Sequence, residues 1–450
     1  MNRFANKDTR VSSFLLFLLG LGSATKVYFF GAVAFSELAI FFIAPLLLLK
    51  YWYRMRCEGF LPFLYMLALM TGGMFVSARW NHSAFPYVFK LFAVFYGMFA
   101  YYVVFYSLLH DNLNGIGWFF LGSFISGIIT VWAFNPTADV SSTGFAYVAN
   151  AEAESVIHGP LFWIGKVRGL GQLPIIAAYL KTPLAYSILT PIMFVAFAMF
   201  TTITGRAQSM CVLLGGAMMF IGRKKRRRMR TIGKHFWTFV LVGVVVLFTY
   251  KMVYSYAAGN GYLGEEARIK YEQQTQLGKG AFAMLVAGRT EFFIGLSALL
   301  DNPVIGYGPG AEDTKGYSER FLSKYGTYED IMGYYYYVQR HASMGLKVGI
   351  PSHSHIVAAW LSCGLPGLIF FVWVLYMIYR HIKYYSSQVP QWYGYFALTI
   401  PSMIWGIFFN PFGARSVLPL LMVTLQYAKS IGTGKVLLPY KMEMEARKYD

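Results

Sequence analysis

A pair of histidines begins an apolar segment late in the chain, in Pro351-Ser-His-Ser-His355. Two histidines separated by one residue point about 200° apart on a helix, so His353 and His355 are poorly placed to share a metal ion. The chain has three cysteines, and none has the spacing of a metal site or a disulfide framework. We therefore expect no metal. The ordinary pKa of histidine, about 6.5, suits acid–base chemistry on a bound substrate instead.

Three arginines lie beside other apolar segments, at Arg168, Arg206 and Arg289. A guanidinium group cannot lose its charge near neutral pH and contacts phosphate oxygens in a bidentate manner. If these cations face one cavity, their ligand is an anion carried by a lipid. The alternative for each arginine is snorkelling, in which the charged group at a helix end is anchored to lipid phosphate. Because the chain has no nucleotide-binding or kinase signature, we expect a preformed activated donor and no cofactor.

The elements that position these residues cross a membrane. Of the 450 residues, 57% are hydrophobic and only 13% are charged. A soluble domain is excluded, since globular proteins have about a quarter of their residues charged. The net charge of +19 would suggest nucleic acid as a partner in a soluble chain. In a membrane protein it is first explained by topology, and we predict no nucleic-acid partner.

Runs of about 20 apolar residues predict an all-α polytopic integral membrane protein with about twelve transmembrane helices and a large, partly helical periplasmic loop. The first run is interpreted as a retained helix and not as a signal peptide. The predicted segments are 11–26, 29–49, 59–77, 86–109, 115–134, 173–188, 190–204, 207–222, 236–255, 354–379, 391–410 and 415–430.

Basic residues orient the chain, because short cytoplasmic loops of membrane proteins are rich in Lys and Arg. An orientation with both termini in the cytoplasm places most of the net positive charge on that side, above all in the run from Arg223 to Lys234. A patch for anionic lipid or nucleic acid is the weaker interpretation of that run. The same orientation directs two loops outward, near 135–172 and over 257–352.

The predicted organisation follows from this map. Residues 1–256 form nine transmembrane helices with an outer loop near 135–172 and a basic cytoplasmic loop near 223–235. Residues 257–352 form the large outer loop, interpreted as a folded cap, residues 353–430 form three further helices, and 431–450 are a cytoplasmic tail. In the loop, Arg289 opens an amphipathic surface helix that runs to a turn over 305–310. Tyr334 to Tyr337, near Arg340, either stack on sugar rings or pack inside the cap.

Four short motifs follow one another along the chain. They are Arg-x-x-Gly at Arg168, Gly-Arg-Ala at Arg206, Gly-Arg at Arg289 followed by Asn302-Pro-Val-Ile-Gly-Tyr-Gly308, and His353-Ser354, nine residues and Gly364-Leu-Pro-Gly367. Together and in this order they resemble the O-antigen ligase and polymerase family of bacterial envelopes. The last motif matches the family pattern His-[Asn/Ser/Gln]-x9-Gly-x-x-Gly, which selects His353 over His355. The resemblance covers about 168–370. The usual Asn after the histidine is Ser354 here, and the usual Asn-Pro-Asn after the first arginine is Leu173-Pro174-Ile175.

The resemblance implies a metal-independent, inverting membrane glycosyltransferase of C type in the bacterial inner membrane. Its donor is a glycan on undecaprenyl diphosphate, and its acceptor is a sugar hydroxyl on the periplasmic side. By position, Arg206 and Arg289 hold the diphosphate and stabilise its developing charge, and His353 activates or orients the acceptor hydroxyl. We assign substrate binding to Arg168, His355 and Arg340.

Three functions compete. The first is a polymerase that extends lipid-linked O-antigen, capsule or exopolysaccharide repeat units, and the second is a ligase that transfers the polymer to lipid A core. The third is a transporter or flippase of lipid-linked glycans, for which Glu37, Lys90, Lys181 and Lys251 would be pathway charges. No inverted repeat supports the transporter. The partners are the lipid-linked donor, a lipid-linked or core sugar acceptor and membrane lipids, with a chain-length regulator as a further candidate.

Overall fold

A computed structural model describes a large part of the chain. The described segments are 2–23, 26–28, 32–57, 59–110, 115–133, 255–262, 290–325, 348–352, 354–385, 393–409 and 417–432, with a few single positions or pairs between 211 and 272 and near 335–339. Four predicted helices, at 173–188, 190–204, 207–222 and 236–255, lie outside these segments except for a few isolated positions.

Helices dominate the described segments. The first five are α1 (Asn2–Leu21), α2 (Phe35–Cys57), α3 (Phe60–Trp80), α4 (Phe85–Leu109) and α5 (Ile116–Ala133). Two helices lie within the predicted outer loop, α6 (Thr290–Asp301) and α7 (Tyr317–Tyr325). The last four are α8 (His355–Cys363), α9 (Leu365–Arg380), which ends in a π-helical turn at His381–Tyr385, α10 (Tyr393–Phe409) and α11 (Val417–Gly432).

The chain is a membrane protein by the length and apolarity of these helices. Among the described residues, four stretches are long and apolar enough to span a bilayer, Phe35–Arg56, Phe60–Trp80, Phe85–Leu109 and Leu365–Tyr384. Shorter apolar stretches lie in α1, α5, α10 and α11. Each of the first five and last three predicted segments therefore coincides with a helix or, in one case, with a pair of helices.

The described part of the chain is all-α in class, as predicted, and two details of the prediction are wrong. A short antiparallel pair of strands, β1 (Lys26–Tyr28) and β2 (Ala32–Ala34), lies between α1 and α2, and Val27 pairs with Val33 in it. Helix α2 consequently begins at Phe35 and not near residue 29. The predicted segment 354–379 is two helices, because Gly364 breaks it with a φ of 66° and Pro366 starts α9 in its first turn.

Helix α4 occupies the centre of the described bundle. Its residues Tyr102, Val103 and Phe105 are fully buried, and the Tyr102 ring stacks on Phe63 of α3 at 4.5 Å between centroids. The Tyr102 hydroxyl donates to Gln426 Oε1 on α11. Aromatic packing and one buried polar contact thus join α3, α4 and α11, and this core is the rigid support for the ends of these helices.

Helices α1 and α5 approach each other at backbone distance. A Cβ added to Gly20 would lie 2.0 Å from Phe119 O, and one added to Gly122 would lie 2.1 Å from Phe17 O. Ser23 and Ser123 hydroxyls lie 3.1 Å apart at the same contact. Small residues of this kind allow membrane helices to pack closely, so this contact depends on both glycines.

The two ends of the bundle differ in charge. We call the end that carries the turn Asn81–Ala84, between α3 and α4, the upper end, and the opposite end the lower end. The last turns of α2, α9 and α11 carry Arg54, Arg56, Arg380 and Lys429. Tyr427 of α11 stacks on Tyr106 near the end of α4, at 5.5 Å, which places these helix ends together at the lower end.

Candidate active site

The structure describes one of the six site residues named from the sequence. His355 is described, whereas Arg168, Arg206, Arg289, Arg340 and His353 lie outside the described residues. The chain on both sides of His353 and after Arg289 is described, however. The geometry next to His353 and Arg289 is therefore given by the elements that flank these two residues in the chain.

Helix α8 begins at His355, two residues after His353, and is held at its first turn by the intervening Ser354. The Ser354 hydroxyl accepts a hydrogen bond from Val357 N at 3.3 Å, as an N-cap does, and donates to Ile407 O in α10 at 2.9 Å. The side chain is fully buried. One hydroxyl thus satisfies a free helix N–H group and attaches the start of α8 to the end of α10.

His355 lies in the interior of the helical bundle. Only 2% of the residue is exposed, and its ring centroid lies 6.0 Å from that of Phe371 on α9. The first turn of α8 therefore directs His355 towards α9.

Helix α6 begins directly after Arg289 and rests on the same part of α10. Phe292 lies 5.8 Å from Phe409, ring to ring. At Gly295 the helix touches α8 and the chain before it, since an added Cβ would lie 2.7 Å from Val357 Cγ1 and 3.1 Å from Pro351 O. The starts of α6 and α8 are therefore packed together on the last turn of α10.

The turn from Asn302 to Gly308 docks on the other end of α8. Tyr307 N and Gly308 N both donate to Leu361 O, at 2.7 and 3.1 Å, and Leu365 N donates to Val304 O at 2.9 Å. The Trp360 indole N–H donates to Pro303 O. Two motifs that the sequence analysis identified separately, the Asn-Pro-Val-Ile-Gly-Tyr-Gly turn and the Gly-x-x-Gly after His353, are therefore one packed unit.

Glycine is required on both sides of this contact. A Cβ on Gly306 would lie 2.5 Å from Leu361 O, and one on Gly364 would lie 2.3 Å from Val304 O. Both residues also have positive φ, 74° and 66°. At Gly367 an added Cβ would lie 2.2 Å from Ala359 O, where α9 crosses α8. The two glycines of the Gly-x-x-Gly motif are thus explained by close backbone contacts, of Gly364 with the turn from Asn302 to Gly308 and of Gly367 with α8.

The turn Asn81–Ala84 between α3 and α4, which we call the upper turn, packs against the other side of the turn Asn302–Gly308, which we call the docked turn. Asn81 Nδ2 donates to Gly306 O at 3.3 Å, Ser83 Oγ lies against Gly308, and the Tyr87 ring lies against Gly310. Exposed cations flank this contact at Arg79 and Lys90. The sequence predicts residues 78–85 only as a break between two spans and does not mark them as part of the site. The polar run Asn81-His-Ser83 between two apolar helices is the signal that could have identified them.

A group of hydrogen-bonded side chains, which we call the latch, holds the outer part of the docked turn and consists of Asp301, Tyr307, Lys315 and Tyr317. The Tyr317 hydroxyl donates to Asp301, the Tyr307 hydroxyl lies 2.6 Å from that of Tyr317, and Lys315 Nζ lies 3.3 Å from Asp301 Oδ2. The bonds from Tyr317 and Lys315 hold the pKa of Asp301 below its usual range. Burial, together with the bond to Asp301, raises the pKa of Tyr317. The latch therefore persists at neutral pH and weakens only as the pH falls through the lowered pKa of Asp301.

The chain that leads to His353 is attached to the same unit. Asp313 N donates to Val348 O and Ile350 N donates to Ala311 O, both at 2.9 Å. The Asp313 carboxylate in turn accepts from Tyr317 N at 2.7 Å, at the start of α7. Residues 348–352 therefore reach α8 as part of the packed loop. In the aromatic run, Tyr335 donates to Glu319 at 3.2 Å.

The described residues also bear on two other kinds of site, a metal site and the charges that a transporter would need. Among them, no three His, Cys, Asp or Glu side chains are grouped to hold a metal ion. Two of the four proposed pathway charges are described: Glu37 accepts from Ala34 N at 3.1 Å at the start of α2, and Lys90 is exposed in the second turn of α4. Glu37 thus has a role at a helix start, whereas Lys181 and Lys251 lie outside the described residues.

Comparison with known proteins identifies one family. No curated protein matches the chain significantly. The O-antigen ligase family model matches residues 191–372. That stretch contains α6, α7, α8, the docked turn and the first half of α9. The resemblance found in the sequence is thereby confirmed, since residues 191–372 of this membrane protein match the O-antigen ligase family.

Proposed function

We propose that the protein is an inverting, metal-independent glycosyltransferase that uses a glycan on undecaprenyl diphosphate as donor and a sugar hydroxyl as acceptor. The observation that supports this is the common anchor of α6 and α8 on the last turn of α10. Arg289 directly precedes the first residue of α6, and His353 lies two residues before the first residue of α8, next to the N-cap Ser354. Because adjacent Cα atoms are about 3.8 Å apart, both residues lie close along the chain to a helix start held at that anchor. In the proposal, Arg289 is the phosphate-binding cation and His353 the acid–base group that act next to this anchor.

The proposed reaction has a balanced proton and charge flow. The acceptor O–H bond breaks and its proton passes to His353, while the acceptor oxygen forms a bond to the anomeric carbon from the face opposite the diphosphate. The bond from that carbon to the diphosphate oxygen breaks, and the leaving group takes the electron pair. Arg289 and Arg206 stabilise the developing negative charge, a contribution that is often about 3–4 kcal/mol for one preorganised donor. Arg168, Arg340 and His355 serve substrate binding.

The proposed site lies on the periplasmic side of the bacterial inner membrane. The upper end carries the docked turn, and the lower end carries Arg54, Arg56, Arg380 and Lys429. Basic residues at helix ends favour the cytoplasm, so the lower end is assigned to that side. An outward site agrees with a donor whose glycan is presented outside the cell membrane.

The reaction is tested with purified protein and a lipid-linked glycan donor. We expect release of undecaprenyl diphosphate, and a loss of at least about 100-fold in Arg289→Ala and His353→Ala, because each loses a group that acts in the transition state. His355→Ala should be milder. The matched control is Arg268→Ala, an exposed arginine of the same predicted loop paired with Glu272 at 3.4 Å. Full activity in the first two variants would reject the site, and no release by the wild type would reject the transferase.

Polymerase activity is the proposed biological role, and ligase activity is the alternative that the family description favours. Donor and leaving group are the same in both reactions, so only the acceptor distinguishes them. A deletion strain separates the two roles. A single repeat unit on the core indicates a polymerase, whereas bare core with polymer retained on the lipid carrier indicates a ligase.

A further inference from the structure

Asn81 links the upper turn of the membrane bundle to the docked turn of the site. It follows the last residue of α3, where its side-chain amide donates to Ser77 O at 2.8 Å and to Gly306 O at 3.3 Å. The partners in the second bond are 225 residues apart. Asn302 Nδ2 donates to the same carbonyl from within the turn. Two amide groups, one on each side of the contact, therefore hold the Gly306 carbonyl.

The Gly306 carbonyl is coupled to α8 by short backbone steps. The next two N–H groups, of Tyr307 and Gly308, both donate to Leu361 O in the last turn of α8. The backbone on the other side of Gly306 accepts from Leu365 N, at the start of α9. Because an added Cβ on Gly306 would lie 2.5 Å from Leu361 O, no space remains for the turn to slide. A movement of Gly306 therefore moves the end of α8.

Helix α8 acts as a short lever between this contact and His353. Its 9 residues span about 13 Å, since an α-helix rises about 1.5 Å per residue. The start is held by Ser354 on Ile407, so a shift of about 1 Å at the Leu361 end tilts α8 by about 4° about that anchor. The tilt changes the direction in which the chain at His353 enters the helix, and a misplacement of about 1 Å at a reacting group can reduce a rate about 100-fold.

The contact needs a donor at residue 81. Both acceptors are backbone carbonyls, so an amide N–H group satisfies them and a carboxylate of the same shape repels them. We propose that Asn81 is a positioning residue, which sets the angle of α8 through the Gly306 carbonyl and thereby aligns His353 with the acceptor hydroxyl. This inference rests on the proposed transferase function and deepens it. Asn81 itself touches no substrate.

The test compares variants of two asparagines with the same local bond. Asn260 Nδ2 donates to Tyr256 O at 2.8 Å, four residues back, as Asn81 Nδ2 does to Ser77 O. Among the described residues, the Asn260 amide makes no hydrogen bond to an element distant in the chain. Asn81→Asp should lower kcat about 10- to 100-fold and change KM for the lipid-linked donor less than about threefold. Asn81→Gln, which keeps the amide donor, should recover part of kcat, and Asn260→Asp should resemble the wild type.

Amide hydrogen exchange gives a readout that does not depend on activity. In Asn81→Asp, exchange should be faster at Tyr307, Gly308 and Leu365, whose N–H groups hold the α8 contact, while the core of α4 should exchange as in the wild type. Asn260→Asp should leave both regions unchanged. This measurement keeps the inference distinct from the function, because it needs no substrate.

Three results would overturn the inference. The first is a wild-type kcat with unchanged exchange in Asn81→Asp, which would leave the proposed function standing. The second is an increase in KM with kcat unchanged, which would make Asn81 part of donor binding. The third is failure of Asn81→Asp to accumulate as a folded protein under conditions in which Asn260→Asp folds, which would make the residue structural.

Discussion

Single side chains at the site combine local and distant bonds. Ser354 is the clearest case, since its hydroxyl caps α8 through Val357 N and donates to Ile407 O of α10. The sequence singled out this position only because the family usually has Asn there. A small hydroxyl is an effective N-cap, as asparagine is, so the capping role survives the exchange. The bond to α10 could not be read from spacing, because residues 354 and 407 are 53 apart.

We predict that Ser354→Ala destabilises the protein by about 1–2 kcal/mol, because it removes a helix cap and leaves a buried carbonyl without that donor. Ser297→Ala is the control, since among the described residues the Ser297 hydroxyl donates only to Ile294 O, within its own helix, at 2.7 Å. Thermal midpoints of the two purified variants in detergent measure the difference. Equal midpoints would contradict the two-bond role of Ser354.

At the scale of the elements, the site depends on the junction between α8 and α9 and on its packing against α3. The sequence predicted one span over 354–379, and the structure divides it at Gly364 into α8 and a membrane-long α9. The junction packs against α3, where an added Cβ on Gly73 would lie 2.6 Å from Cys363 O. No atom of the described residues lies within 4 Å of a Cβ added to the neighbouring Gly72. Helix α3 therefore carries two adjacent glycines with opposite surroundings.

These two glycines make a matched prediction. Gly73→Ala should force α3 away from the α8–α9 junction, at a cost of about 1–3 kcal/mol, and lower the activity. Gly72→Ala should be neutral or stabilising by up to about 1 kcal/mol, since alanine is the better helix former. Thermal stability and transfer activity of both variants provide the comparison. Equal losses in the two would show that glycine flexibility in α3, and not the close approach, is what matters.

At the scale of the whole molecule, basic residues mark one end of the helical bundle and the elements of the large loop cover the other. Arg54, Arg56, Arg380 and Lys429 mark the lower end, and the docked turn with α6, α7 and α8 lies on the upper end. Arg79 and Lys90 are exposed exceptions near the upper end. A cation that departs from the positive-inside pattern either reaches lipid phosphate or contacts an anionic ligand.

Labelling of single introduced cysteines checks the orientation. Ala84→Cys lies in the exposed upper turn, and Tyr384→Cys is exposed near the lower end. We expect an impermeant maleimide to label the first variant in intact spheroplasts and the second only after permeabilisation, with the wild type as background for its own cysteines. The opposite pattern would place the docked turn in the cytoplasm and exclude a periplasmic reaction.

The sequence by itself determined the class of protein and the order of its motifs. Low charge and long apolar runs require a membrane, and eight of the predicted segments coincide with described helices or, at 354–379, with a helix pair, because hydrophobic length is a local property. The family followed from four short motifs in order. Helix α6 after Arg289 was also expected, since its amphipathic pattern lies within twelve consecutive residues.

Only the tertiary structure decided how the motifs meet. The bond from Asn81 to Gly306, the interlocked glycines at 306 and 364, and the shared anchor of α6 and α8 on α10 join residues far apart in the chain. Such contacts leave no periodic pattern, because they depend on which backbone atoms come within bonding distance after the helices pack. The physical reason is that hydrophobicity sets where a helix lies, whereas steric fit and hydrogen-bond geometry set what it touches.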